Sequence, residues 1–386
     1  MRYILLSALI LTLCGFSIAC EKEAPSGPGA MEPIRPRGRV HDKNALAQVQ
    51  LPSWPPLGSA GVDLAKLPRS YRRGMALLAA DPDNLAMAEA AQHHALALLK
   101  IPADRSLGHV LHGRLQLVLG RKPDGQILDG NLAIAVQDFR SALETDPKCY
   151  EAIFYQADLA LKAKHMAKYD ALVKMARALR PDSPETRWLA LRQKSRLISW
   201  TDWLQEAETL LADAQHPDLL RQTYSLVAQN YRLRDNTSKA LAIHQAMVDR
   251  LPEDPRAITL FIECLLTERM PGQALKLTEP LERLRPGPTT VRLKAKILCN
   301  VGNQLLGSKA NPKEVEAWYR RAIKLEPEQA EAWLGLALAL HMKAKESESE
   351  QDQARAFQAA SKAKQLDPGN RQARLIYEEL FYARHQ

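Results

Sequence analysis

Between Gln222 and Pro255 the apolar positions keep the period of a helix. Tyr224, Val227, Ala228 and Tyr231 fall three and four residues apart, so they share one face. The small side chain of Ala228 on that face allows a second helix to approach closely. Arg234-Asp235-Asn236-Thr237 is a polar turn with a ready helix cap. A second amphipathic run follows through Ala240, Leu241, Ile243 and Met247, and Leu251-Pro252 stops it, because proline lacks the amide a helix needs. The stretch predicts a helical hairpin.

The same punctuation recurs along the chain. Prolines in comparable contexts stand at 102, 147, 181, 217, 252, 286, 327 and 368, at spacings of 45, 34, 36, 35, 34, 41 and 41. Alanines sit five residues before several of them: Ala97, Ala142, Ala176, Ala212, Ala322 and Ala363. A large, large, small, large face followed by a polar turn, a second helix and a proline resembles the tetratricopeptide repeat, a helix–turn–helix unit of about 34 residues. The resemblance implies an all-α fold: a right-handed α-solenoid of about eight such units, the longer spacings carrying insertions, closed by a C-terminal capping helix.

The hairpins are expected as follows. Arg69 to Ala80 and Leu85 to Leu99 form the first, and Leu107 to Pro147 holds the second with a polar insertion from Gly120 to Gly125. The third runs from Tyr150 to Pro181. The fourth, Glu185 to Pro217, is the least regular and contains Trp188, Trp200 and Trp203. These rings read either as filler for a poorly fitting interface or as an aromatic docking surface. The fifth is the opening stretch, and the sixth has Ile258, Phe261, Ile262 and Leu265, then Ala274 and Pro286. The seventh carries an insertion around Gly302 to Pro312. The eighth, led by Trp333, Leu336, Ala337 and Leu340, carries a charged one from Lys345 to Glu350. The array is expected over residues 67–370 and the cap over 371–386, where one apolar face and one charged face suit the end of a stack.

The stretch before the array reads differently. Residues 1–19 are a signal peptide: Arg2 precedes an apolar run from Ile4 to Ala19 that is too short to span a bilayer, since a helix needs about 20 residues for that. Ser17-Ile18-Ala19-Cys20 resembles a bacterial lipobox, which implies lipidation of Cys20 and attachment to a membrane, although the family prefers Leu where Ser17 stands. Ordinary cleavage after Ser17-x-Ala19 fits the same residues and would release a soluble periplasmic adaptor. Residues 20–66, with Pro25, Pro28, Pro33, Pro36, Pro52, Pro55 and Pro56, form an extended tether. Trp54 lies among its prolines, either docked on the array or exposed. Glu21 replaces the Asp that resembles an inner-membrane retention signal, which favours the outer membrane, the folded part facing the periplasm.

Composition adds limits. Hydrophobic residues make up 46% of the chain, enough for a continuous core. Lys and Arg exceed Asp and Glu by 53 to 44, yet no basic stripe interleaved with aromatics appears, so nucleic acid is not the expected partner. No Gly-rich phosphate loop, Gly-x-Ser-x-Gly, His-Glu-x-x-His or Cys-x-x-Cys is present, so the protein is expected to be no enzyme, to carry no catalytic residues and to need no cofactor. His93, His94, His109 and His112 cluster within twenty residues, with His109 and His112 on one helix face. They are the sole support for a metal- or haem-handling role in cytochrome maturation; solvated histidines without a metal are the expectation. Cys149, Cys264 and Cys299 read as small buried hydrophobes, with a Cys264–Cys299 disulfide as the other possibility.

The family resemblance implies that partners bind the concave face, lined by the first helix of each unit. Carried onto this chain, that gives Phe154 and Asp158, Thr259 and Glu263, Arg292 and Lys296, and Leu334 and Leu338. The last four place two cations beside an apolar strip. They are the candidate peptide-binding residues, suited to an acidic group next to a hydrophobic side chain.

Overall fold

The computed structural model describes residues 67–80, 85–121, 126–194, 198–308 and 310–385. The expected signal peptide, Cys20, the expected tether and Trp54 lie outside them. Among the described residues the chain is a succession of paired α-helices with a single isolated β-bridge, Arg121 to Ile127. The pairs are α1 (Arg69–Ala80) with α2 (Leu85–Leu99), α3 (Arg105–Leu119) with α4 (Asp129–Thr145), and α5 (Tyr150–Lys162) with α6 (Met166–Leu179). Next come α7 (Pro184–Lys194) with α8 (Trp200–Asp213), and α9 (Pro217–Arg232) with α10 (Thr237–Arg250). In the sixth unit α11 (Pro255–Thr267) packs on two short helices, α12 (Pro271–Lys276) and α13 (Thr278–Leu284). The last pairs are α14 (Pro288–Gly307) with α15 (Pro312–Leu325) and α16 (Ala330–Ser347) with α17 (Glu350–Leu366), capped by α18 (Arg371–His385). This is an all-α solenoid of eight hairpins and a terminal helix.

Local chemistry sets these boundaries. Asn236 caps α10 by accepting from the Lys239 amide at 3.1 Å, and Asp254 caps α11 by accepting from Arg256 and Ala257 at 2.8 and 3.2 Å. Helices α9, α11, α12, α14 and α15 begin on proline, whose missing amide costs nothing in a first turn. Within the third, fifth and sixth units the turn between helices is closed by a left-handed residue: Lys164, Asp235 and Arg269, with φ of 60°, 56° and 58°. The amide that follows each of them makes the helix-ending bond of such a turn. His165 donates to the Ala160 carbonyl at 2.8 Å, Asn236 to Tyr231 at 3.0 Å and Met270 to Leu265 at 2.8 Å.

Two features differ from the sequence pattern. The expected insertions of the seventh and eighth units lengthen helices: α14 runs 20 residues and α16 runs 18, so residues 302–307 and 345–347 extend the first helix of the hairpin. The second helix of the sixth unit is broken at Leu277. Pro280 explains the break, since it can neither donate to the Lys276 carbonyl nor tolerate it at helical distance.

The core follows the hairpins. Ala228 and Ala337, placed by the sequence where helices pack closest, are fully buried. Tyr319 on α15 lies against Gly302 and Gly335, where an added Cβ would come within 2.8 and 2.1 Å of its ring. The buried apolar residues form three clusters: one from Tyr71 to Ala257, a small one from Ile258 to Ile297, and one from Leu298 to Leu380. Trp188 and Trp203 are 1% and 2% exposed and Trp200 stacks on Trp203 at 5.3 Å. The fourth unit therefore uses its tryptophans as core.

Candidate functional site: a cationic cup on the inner face of units two to six

The first helices of units two to six, α3, α5, α7, α9 and α11, surround a cavity of about 690 Å³, within the range of about 300–1,000 Å³ common for ligand pockets. Its floor is buried and charged. Arg114 on α3 donates to the Tyr155 hydroxyl on α5 and to the Asp218 carboxylate on α9. Asp218 also pairs with Arg221, whose guanidinium goes on to Asp254 at the start of α11 and to the Ala79 carbonyl of α1 at 3.4 Å. Arg114, Arg221 and Asp254 are 7%, 5% and 1% exposed. A ladder of alternating charges thus ties the first two units to the fifth and sixth.

His216 belongs to this floor. It is buried, caps α9 by accepting from the Asp218 amide at 3.2 Å, and has its pKa pushed well below the ordinary imidazole value by burial first and by Arg114 and Arg221 after it. A neutral imidazole between two guanidiniums is the state that keeps the ladder intact.

A second charged set stands beside it. Asp158 on α5 accepts from Lys162 at 2.6 Å and from Arg192 at 3.2 Å, and Arg192 lies over the Trp188 ring at 4.8 Å from its centroid. The cavity lining holds six cations (Arg114, Arg121, Lys162, Arg192, Arg221 and Arg256) and the carboxylates of Asp158 and Asp218, and Asp254 and Glu263 just outside it pair with Arg221 and Arg256. Two enclosed nitrogens on these residues, the indole Nε1 of Trp188 and Nε of Arg114, have no hydrogen-bond partner and no surface open to the cavity. A buried donor without a partner costs about 1–3 kcal/mol. Around the floor runs a ring of half-buried apolar groups, among them Leu117, Leu159, Leu226 and Leu260.

Of the inner-face residues expected from sequence, Asp158 lines the cup, Phe154 is core at 2% exposure, and Thr259 is buried against the Pro255 carbonyl at 2.8 Å. Glu263 is exposed and pairs with Arg256 at 3.7 Å. The four candidate peptide-binding residues lie at the other end of the array. Arg292 pairs with Glu326 at 3.1 Å with its side chain 72% exposed, and Lys296 is exposed. Leu334 is 8% exposed within the C-terminal core cluster, and Leu338 packs half-buried against the same cluster.

The histidines separate. His109 and His112 both turn Nδ1 to one carboxylate, Asp138, at 3.1 and 2.6 Å, which are hydrogen-bond lengths. His93 is exposed on α2, and among the described residues no group of three or more His, Cys, Asp or Glu is placed to hold a metal ion. Cys149, Cys264 and Cys299 are buried free thiols; burial pushes Cys149 and Cys299 up to about 12 and raises Cys264. Among the described residues no helix is long and apolar enough to cross a membrane.

Stacked hairpins, small residues at the helix crossings and a concave cup define a tetratricopeptide-type repeat array. No family model matches the chain, and no curated protein matches it. Solved structures do. The human IFIT1 dimer with PPP-AAAA is similar at a TM-score of 0.51 and 14% identity, over 82% of this chain and 72% of that one. Cut9–Hcn1 of the APC/C is similar at 0.46 and 10% identity, over 87% and 58%, and yeast Tom70 at 0.42 and 15%, over 83% and 66%. Identity so low makes the IFIT1 likeness one of fold alone.

Proposed function

We propose that this protein is a non-enzymatic scaffold of the bacterial cell envelope, held at a membrane through a lipidated Cys20 and binding a protein or peptide segment in its concave cup. The observation that carries the binding reading is the cavity of about 690 Å³ on the inner face of units two to six, which has room for a short segment of chain. Its rings favour peptide over nucleic acid. Tyr155 stacks on Phe139 at 5.2 Å and Trp188 lies under Arg192, so neither offers an open face to a base. Support for the anchor comes from the sequence around Ser17-Ile18-Ala19-Cys20. Several acyl chains at about 0.8 kcal/mol per buried CH₂ would hold the protein firmly, with the outer membrane favoured by Glu21.

One set of strains tests both parts. A photo-crosslinking amino acid replacing Leu226 is expected to capture a discrete partner in intact cells, and the same group at exposed Leu233 is not. Cys20→Ala is expected to move the protein out of the membrane fraction or to stall its processing. Equal capture from both positions would refute the cup as the binding surface; unchanged membrane retention with normal cleavage after Ala19 would refute lipidation and leave a soluble adaptor.

A further inference from the structure

The outer side of α18 is not the plain polar face that closes a stack of repeats. Its inward side packs Ala373, Ile376 and Leu380 into the C-terminal core, yet Leu375, Phe381 and Tyr382 stay 54%, 39% and 64% exposed. No other helix among the described residues carries three large apolar side chains so open to solvent. Phe381 and Tyr382 extend an aromatic set, the Phe381 ring lying 6.4 Å from Phe357 and 5.8 Å from Tyr382 between centroids. Arg371, Leu375, Glu378 and Tyr382 follow one another at four, three and four residues. They therefore form one strip along the helix, at the spacing by which two helices pair. Arg371, Arg374 and Glu378 are exposed and have no ion-pair partner among the described residues.

Read in reverse, this strip complements itself. We infer that a second copy of this chain covers it, the two α18 helices packing antiparallel about a two-fold axis at the level between Ile376 and Tyr377. That axis sets Arg371 of one copy opposite Tyr382 of the other, a cation over an aromatic face, twice in the pair. Arg374 comes level with Glu378 of the other copy to within one residue, so opposite charges meet on both sides of the axis. Glu379 stays turned to His341 at 3.1 Å. The two Leu375 side chains lie ~4.5 Å apart along the helix direction, at ~1.5 Å per residue, and shield each other from water. A parallel pairing would set arginine against arginine and glutamate against glutamate. Because the same patch is used on both copies, the contact closes and association stops at the dimer. α18 has 15 residues and so is ~22 Å long, a small contact for a protein interface, which places the dimer in the micromolar range.

The test is sedimentation equilibrium of the full-length protein from about 1 to 100 μM, the range in which a small interface associates. A monomer–dimer equilibrium without larger species is expected. Arg374→Glu and Glu378→Arg, each of which sets like charges opposite one another, are each expected to weaken the dimer at least about tenfold. The two together exchange the partners and are expected to restore it. Tyr382→Ala is expected to cost about tenfold, as loss of an interface aromatic does, whereas Leu233→Ala, equally exposed but on the turn of the fifth unit, leaves the dimer unchanged. All of these side chains are exposed, so the melting temperature stays at the parent value and folding is not in question. A monomer throughout the range, or a dimer that both single charge reversals leave intact, overturns the inference. A photo-crosslinking amino acid replacing Leu375 in intact cells is expected to capture a second copy; discrete capture of a different protein instead overturns it and gives α18 to that partner.

Discussion

The middle of the array and its C-terminal end are built from the same hairpin, yet they treat inner-face charges in opposite ways. In units two to six Arg114, Arg221 and Asp254 are nine-tenths or more buried and hold distant helices together. In units seven and eight Arg292 and Lys296 stand in solvent, and the inner leucines turn into the core, Leu334 to 8% exposure. The difference lies in what each inner face meets. Curvature carries α3 of the second unit against α9 of the fifth, so charges there are sealed between units. After the eighth unit only α18 follows among the described residues, and its packing on α17 covers apolar groups such as Ile376 and Leu380. One local pattern thus yields a buried polar network or a solvated face according to its position in the superhelix.

The largest expected effect lies on the network. Asp254 is 1% exposed, caps α11 and accepts from Arg221, so Asp254→Ala removes a cap and leaves a buried guanidinium short of its partner. Breaking one side of a buried pair costs about 3–5 kcal/mol. Chemical denaturation is expected to show that loss. Glu326→Ala, which breaks the exposed pair with Arg292, is expected to cost about 1 kcal/mol or less. Similar losses at both sites would erase the contrast between the two regions.

Acid sharpens the same contrast. His244 on α10 is 8% exposed, lies parallel to Phe261 of α11 at 6.1 Å, and has its pKa pushed down to about 4 by burial first and by Arg232 second. Its folded value lies below the unfolded one near 6.5, so the unfolded chain binds the extra proton. The stability from keeping it neutral is complete above about pH 6.5. It is lost as pH falls from there towards 4, by roughly 3 kcal/mol at most. His216, shifted the same way, adds to the loss. His244→Phe is expected to flatten part of that slope in denaturation curves taken from pH 7 to 4. An unchanged slope would place the acid sensitivity elsewhere.

How much of this was legible in the chain follows from the range of each interaction. The hairpins were, because caps, prolines and apolar spacing act within a few residues: α1 and α2 run over the residues the pattern marks, and Asn236 caps α10 as its turn suggests. Trp188 stood out with Trp200 and Trp203 as core filler or as a docking surface, and its burial decides for filler. The cup floor was not legible. Arg114 and Asp218 are 104 residues apart, and nothing local in either helix says that they meet. Asp158 emerged from the inner-face register because that rule is local to one helix. The break at Leu277 could have been read from Pro280, which falls inside the expected second helix.

The smallest expected effect concerns the C-terminal residues read from sequence as a peptide site. Arg292 and Lys296 lie one helical turn apart on α14, so together they could still hold a carboxylate. Against this, Arg292 already meets Glu326, and Leu334 and Leu338 offer little open apolar surface beside them. An acidic ligand there would have to displace Glu326 and forgo most of the hydrophobic contact, whereas the cup offers a cavity with a ring of half-buried apolar groups. Arg292→Glu with Lys296→Glu is therefore expected to change stability by about 1 kcal/mol or less, as surface charges usually do. It is also expected to leave partner capture by the photo-crosslinker at position 226 unchanged, since the changed charges lie at the other end of the array and are screened by salt. The measurement is that capture, on protein whose helical signal and melting temperature match the parent. Loss of capture in this variant would move the binding site to the end of the array and make the cup a purely structural closure.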